Sequence, residues 1–507
     1  MINEKVSLRK RYAGVLMHIS SLPGPAYIGD IGPCAKKFAD FLYRSNQSYW
    51  QLLPIQPINA LQGYSPYSSF SSIAGNIILI SPELLAKDGL INKNLISRKN
   101  SSTRTDYVSA EKYKEKLLRI AYDKWNATTL RADKKIFDEY CQKEKEWLHD
   151  YALYSVLKIK YNNKSWIQWP DEFRNRDLKS LQFFARENSD DIGFIKWTQM
   201  IFNKQWKQLK SYCDSLKITL LGDVPFYVSH DSADVWCNKE IFMLDKNGKA
   251  LEVAGVPPDL FNKEGQLWGM PLYNWDVLKN NRYKWWINRL KKNLEYFDEL
   301  RLDHFRAFSS YWSIPAYASS AKKGKWKKGS GKDFFETIKN VLGNLPFVAE
   351  DLGKVDEKVF RLRNELDLPG MNVLQFAFGE DTPDTPHLPH YHKYNSFVFT
   401  GTHDNDTTRG WYNKLEKKYR KLISDYTGAE VNTRNIADHL CEMAYRSTSK
   451  VSILPAQDIL SLGSSERMNV PSSPKDNWKW RIKQGQLTTD IIHKLNNWCY
   501  IYGRTRS

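Results

Sequence analysis

At three places an apolar segment ends in acidic residues. Asp303 closes Leu300-Arg301-Leu302-Asp303-His304-Phe305-Arg306. Glu350 and Asp351 close Phe347-Val348-Ala349-Glu350-Asp351-Leu352. Asp404 closes Phe399-Thr400-Gly401-Thr402-His403-Asp404. A carboxylate needs water or a partner and does not belong inside a buried strand. Each could instead cap a following helix or pair with a nearby arginine. Three such ends on separate segments, one flanked by Arg301 and Arg306, favour a shared pocket. Several carboxylates without a metal motif suit glycoside chemistry: one attacks the anomeric carbon, one protonates the leaving oxygen, and a third holds the distorted sugar. Arg301 lies two residues before Asp303, on the same strand face, where a guanidinium keeps a nucleophilic carboxylate ionised.

The elements that must position these residues recur along the chain. Eight apolar runs end in a polar residue: Ala13–Ser20, Tyr49–Ile55, Ile218–Phe226, Glu299–Phe305, Phe347–Leu352, Met371–Phe376, Ser396–Asp404 and Val451–Asp458. Near-continuous apolar character fits strands buried on both faces. Helical spacing marks Cys34–Ser45, Tyr283–Tyr296, Phe334–Leu342, Val355–Glu365 and Ile436–Tyr445 between them. This alternation predicts an α/β fold, a (β/α)8 TIM barrel, with a doubly wound open sheet as the alternative. We expect one catalytic domain over 1–507. A mainly helical insertion (83–215) follows strand two, and a long loop insertion (227–275) follows strand three, rich in Gly, Pro and aromatics. Both leave the C-terminal end of a strand, the active-site face of a barrel.

Composition bounds the function classes. The chain has 507 residues, 41% hydrophobic and 14% aromatic, which excludes a disordered protein. Its net charge of +18 raises the question of nucleic acid, but the lysines are scattered rather than gathered into an arm. A Lys-rich surface is the reading adopted, with no nucleic-acid and no membrane partner. No apolar run approaches the ~18 residues of a membrane span. The N-terminus has no apolar signal core, and the six cysteines form no C-x-x-C pair. They read as reduced core thiols of a cytoplasmic protein. No repeat period is visible.

His387, His390 and His392 form an H-x-x-H-x-H cluster in a Pro-rich stretch; it reads as a surface loop, so no metal and no cofactor is expected. Gly329-Ser330-Gly331-Lys332 lacks the ending of a phosphate loop, and Lys322, Lys323, Lys325, Lys327 and Lys328 read as a solvated loop. The aromatics Tyr64, Tyr67, Phe261, Trp268 and Tyr273 lie beside Gly and Pro and read as cleft residues whose flat faces pack on sugar rings.

From about Ala13 to about Arg481 the chain resembles the 4-α-glucanotransferases of the amylomaltase or disproportionating-enzyme type, a branch of the α-amylase superfamily. The resemblance rests on Ser65–Phe70, Gly222–Val228 with Asp231–Trp236, Gly255–Asp259, Gly265-Gln266 with Trp268-Gly269, Arg301–Arg306, Ala349–Gly353, Gly401–Asp406, and Glu466–Asn469 with Asn477-Trp478. It implies retaining transfer of α-1,4-glucan segments from maltooligosaccharides, glycogen or starch to an acceptor 4-hydroxyl. Asp303 is then the nucleophile, Glu350 the general acid/base and Asp404 the stabiliser of the donor sugar. It further implies that Ser65, Tyr67, Asp223, Arg301, His403 and Asn469 bind substrate, and that Phe261 and Trp268 lie on a loop covering the glucan. Leu260 stands where the family usually has Tyr, and Met270 where it usually has Asn; both bear on acceptor preference. A hydrolase with the same carboxylates and a non-catalytic glucan- or nucleic-acid-binding protein are the rival readings, because water and a sugar hydroxyl compete for one intermediate.

Overall fold

All eight apolar runs contain a strand of one parallel sheet. In the computed structural model, which describes residues 9–24, 26–97, 102–128, 130–258, 263–353, 355–471, 473 and 475–506, these are β1 (Tyr12–Leu16), β2 (Tyr49–Gln51), β3 (Thr219–Val224), β4 (Glu299–Leu302), β5 (Phe347–Ala349), β6 (Gly370–Val373), β7 (Ser396–Phe399) and β8 (Val451–Pro455). Their spatial order is β6-β7-β8-β1-β2-β3-β4-β5, every neighbour parallel. The two edges meet where Ala349 N–H donates to Pro369 O at 2.9 Å, which brings the sheet to a near-closed TIM barrel. Gly14 is required by this closure. A Cβ there would lie 2.4 Å from Tyr49 Cβ on the adjacent strand, too close for any side chain.

The strands are shorter than the runs that announced them. Met17–Ser20, Leu52–Ile55 and Thr400–Asp404 keep their apolar or polar burial but leave the ladder, so the C-terminal part of each run becomes the loop that carries site residues. Helices Pro33–Arg44, Lys284–Tyr296, Gly331–Leu342, Glu357–Glu365 and Ile436–Arg446 occupy the expected crossovers. Pro33 begins the first of these at a position whose N–H would be unpaired anyway. Asp356 caps the fourth by accepting from Lys358 N and Val359 N. Ile77–Ile80, apolar and of strand length, turns instead as a 3-10 helix at Ile77–Leu79, with Asn76 accepting from Ile78 N.

Between β2 and β3 the long helices include Tyr107–Thr128, Leu148–Lys160 and Ser189–Ser215. The last buries Trp197 and Trp206 and packs Phe202 against Gly75, where a Cβ would meet the ring at 2.1 Å. Much of the tryptophan surplus is core: Trp50, Trp166, Trp169, Trp197, Trp206, Trp236 and Trp286 are almost wholly buried. Tyr273 joins them. It packs among Phe226, Phe242, Trp285 and Trp286 and is not a cleft residue, because its loop folds back on the barrel.

Two segments read as loops contain strands. Glu252–Val256 and Gln266–Pro271 form an antiparallel sheet with Ser310–Pro315 and Lys325–Lys328. The lysine-rich stretch is its edge strand. Trp326 lies directly opposite Trp312, ring centroids 5.2 Å apart, and this cross-strand pair outweighs the local preference of lysines for solvent. Lysines at an edge also discourage pairing with another chain. His387–His392 is likewise not a plain surface loop: His392 is buried, His387 half-buried and only His390 exposed. Among the described residues, no helix is long and apolar enough to cross a membrane.

Candidate active site

The pocket is built on the ladder β3-β4-β5. Asp223 of β3 is in register with Arg301 of β4, so two residues distant in sequence become neighbours. Arg301 Nη1 donates to both oxygens of Asp223 at 2.9 Å and to Asp303 Oδ1 at 2.8 Å. Asp223 is fully buried and Arg301 nearly so, whereas the Asp303 side chain is 28% exposed. Burial works against the Arg301 cation, yet Asp223 and Asp303 together hold its pKa well above the usual arginine value. Asp303 Oδ1 is bonded to Arg301, and among the described residues nothing donates to its Oδ2.

Glu350 follows β5. Its N–H donates to Leu302 O at 3.1 Å, which extends the ladder and sets it beside the end of β4. Its carboxyl accepts from His304 N at 2.8 Å and Leu352 N at 2.9 Å. Burial pushes the Glu350 carboxyl up to about 7, opposed by Arg301 and assisted by Asp303. That value suits a group that must give a proton and take one back near neutrality. Its neighbour Asp351 has a different task. It is buried, pairs with Arg363 and accepts from Met371 N at 2.9 Å, so it ties β5 to β6.

Asp404 follows β7. Asn469 Nδ2 donates to its Oδ1 at 2.6 Å, His403 Nε2 lies 3.4 Å from its Oδ2, and Arg467 holds its carbonyl oxygen. Tyr67 joins the two halves of the pocket. Its hydroxyl donates to Asp223 Oδ2 at 2.8 Å while its ring stacks on His403, centroids 5.1 Å apart and 15° from parallel. Ser65 shapes that loop by accepting from Tyr67 N through Oγ at 3.2 Å. Trp268 stands on the small sheet, its Nε1 donating to Gln266 Oε1 and its ring packed edge-on to His304 at 5.0 Å. Met270 lies on the same strand. Phe261 and Leu260 lie outside the described residues.

The structure thus brings Tyr67, Asp223, Arg301, Asp303, Glu350, His403, Asp404 and Asn469 to one end of the barrel. Sequence reasoning gave no role to three residues that hold them. His304 adopts φ +52°, costly for a non-glycine residue, and this turns its N–H toward Glu350. Arg467 fixes the Asp404 backbone, and Trp478 flanks Tyr67 at 5.8 Å. All three lie within the motifs quoted above, but spacing does not reveal which atom faces which.

A sequence profile of the 4-alpha-glucanotransferases, glycoside hydrolase family 77, matches residues 17–488. A 4-alpha-glucanotransferase of Synechocystis is 41% identical over 501 residues, covering 98% of this chain and 99% of its own. One from Thermus thermophilus is 39% identical over 486 residues, 95% of this chain and 96% of its own. The amylomaltase of Streptococcus agalactiae in complex with acarbose superposes with a TM-score of 0.94 at 35% identity, covering 98% of this chain and all of that one. With the near-closed barrel and its acidic mouth, these likenesses show that the chain belongs to the 4-alpha-glucanotransferases of glycoside hydrolase family 77, retaining enzymes acting on α-1,4-glucans.

Proposed function

We propose that glucan transfer runs through a covalent glycosyl-enzyme on Asp303. The open Asp303 Oδ2 attacks C1 of the donor glucose while Glu350 gives its proton to the glycosidic oxygen, and the reducing-end fragment departs. The acceptor 4-hydroxyl then loses its proton to Glu350 and attacks C1, which releases Asp303. Asp404, held by Asn469 and His403, accepts hydrogen bonds from donor hydroxyls that strengthen as the ring flattens. Tyr67, Asp223 and Arg301 complete the donor cradle. Donors are maltooligosaccharides or starch- and glycogen-type chains, in keeping with the acarbose held by the Streptococcus agalactiae relative. Trp268 belongs to a segment (227–275) that covers the glucan and favours a sugar acceptor over water.

The observation that carries this reading is the contrast between two carboxyls that share Arg301's field: Asp303 bonded to it, Glu350 pushed up to about 7. Six free cysteines support a cytoplasmic setting. The test is incubation with maltotriose, followed by product sizing and a reducing-end count. Transfer gives glucose and longer maltooligosaccharides at a nearly constant count. A count that rises with each bond cleaved identifies a hydrolase and overturns the reading.

A further inference from the structure

His18 follows β1 and is 8% exposed, yet its ring Nδ1, buried away from solvent, has no hydrogen-bond partner among the described residues. It stands at the boundary of two adjoining cavities. One lies between the ends of β1, β7 and β8, bordered by His403, Asp406, Asp458 and Arg467. The other is bordered by Tyr64, Tyr107 and Trp478. Both lie on the His403–Asp404 side of the pocket, away from Glu350 and Trp268.

The other polar side chains of the first cavity are committed elsewhere. Asp458 accepts from Thr400 Oγ1, Thr408 N and Thr408 Oγ1. Asp406 accepts from Ser464 Oγ and pairs with Lys414. Arg467 donates to Asn469 O and Asp404 O, and Asn405 Oδ1 accepts from Thr402 N. His18 is left with a buried ring nitrogen that has no partner among the described residues, and a buried polar atom without a partner calls for one.

We propose that His18 is a donor-side glucan-binding residue whose Nδ1 pairs with a hydroxyl of a glucose unit beyond the one held at Asp404. This rests on the reading of Asp404 as the donor-sugar ligand. A neutral imidazole presents one donor and one acceptor, and a sugar hydroxyl can answer either. An anion would require the cation, and burial, with His403 nearby, pushes His18 down to about 3.

Three variants and one spectrum test this. Asn places an amide near the Nδ1 position, Gln near Nε2, and Ala places none. With maltotriose as donor, His18→Ala and His18→Gln should raise KM about three- to tenfold with kcat within about twofold, as for one lost neutral hydrogen bond. His18→Asn should stay within about twofold of the parent in both. Unchanged KM in His18→Ala, or Asn no better than Ala, overturns the proposal. Should the variants fail to fold, imidazole nitrogen NMR of the Glu350→Gln chain decides. Saturating maltotriose must move the His18 Nδ1 resonance, and an unmoved resonance means that only ordered water meets it. An Asp404→Asn variant with normal transfer would instead sink the underlying assignment, which keeps the two failures apart.

Discussion

Two buried arginines sit at opposite ends of the barrel and do opposite things. Arg301, at the C-terminal end, faces carboxylates: Asp223 and Asp303. Arg504, at the N-terminal end, bonds only backbone carbonyls. Its Nε donates to Tyr445 O at 2.8 Å, Nη1 to Tyr12 O at 2.7 Å, and Nη2 to Ser447 O at 2.8 Å and Ser449 O at 3.1 Å. The carboxylates raise Arg301, whereas burial, with Arg11 nearby, pushes Arg504 down to about 9, still cationic at neutral pH. One guanidinium organises charge that chemistry can use. The other satisfies orphan carbonyls at the end of helix Ile436–Arg446 and the starts of β1 and β8. The two ends of a barrel are divided this way, catalysis above and stability below.

The largest effect that could break this division is on the carboxylates beside Arg301. Asp303→Asn and Glu350→Gln should each lower turnover at least about a thousandfold, some 4 kcal/mol of transition-state stabilisation, without unfolding the chain. A glycosyl fluoride donor separates them, since fluoride leaves with little help from an acid. Glu350→Gln should form and trap a glycosyl-enzyme whose label maps to Asp303. Asp303→Asn should trap nothing. A label on Glu350 or Asp404 would reassign the nucleophile.

Arg301 itself should tune rather than perform the chemistry. In the proposed mechanism Glu350 is protonated in the first step, so kcat/KM should fall as pH rises through about 7. Arg301 lowers that value by stabilising the Glu350 carboxylate. Removing the charge in Arg301→Gln should therefore move the alkaline limb upward while cutting the maximal rate about a hundredfold through misplaced Asp303. A limb that moves down, or stays fixed, would show that Glu350 does not sense this arginine. Stability must be followed in parallel, because the variant leaves Asp223 buried without its cation, a loss of about 3–5 kcal/mol.

Much of the upper end was legible in the sequence. Eight apolar runs gave eight strands in order, and Asp303, Glu350 and Asp404 were marked by a carboxylate ending a hydrophobic run. What escaped had no local signal. Arg504 sits in a polar C-terminal tail, and its burial depends on carbonyls some 55 to 490 residues away in sequence. Lys325–Lys328 reads as solvated because strand pairing with Ser310–Ser313 is a tertiary fact. Asp351 and Glu350 are adjacent and chemically alike, and it takes tertiary partners, Arg363 and Met371 N on Asp351, to tell the structural carboxylate from the one proposed as acid.

The lower end predicts a smaller and different loss. Arg504→Ala strands buried carbonyls and should cost about 3 kcal/mol of stability in denaturant unfolding. Turnover per folded molecule should stay within about twofold. The free energy rivals that of a catalytic substitution, but it falls on folding rather than rate. A tenfold drop in turnover at full stability would dissolve the division between the ends.

The smallest expected effect is none, and it concerns the histidines. His387, His390 and His392 tempt a metal reading, yet their ring nitrogens have other duties. His387 Nδ1 accepts from Val373 N at 3.2 Å, anchoring this segment to β6. His392 Nε2 must donate to His387 O at 2.9 Å, so its Nδ1 accepts from Ser447 Oγ at 2.7 Å. His390 Nδ1 bonds the Tyr426 hydroxyl at 3.0 Å. Ligation through His387 Nδ1 or either ring nitrogen of His392 would break an anchor, and among the described residues no group of His, Cys, Asp or Glu is arranged to hold an ion. Prolonged dialysis against a chelator should therefore leave maltotriose transfer unchanged. Loss of transfer restored by one divalent metal would mean that an ion shares the charge now assigned to Arg301, and the contrast between the two arginines would no longer explain the site.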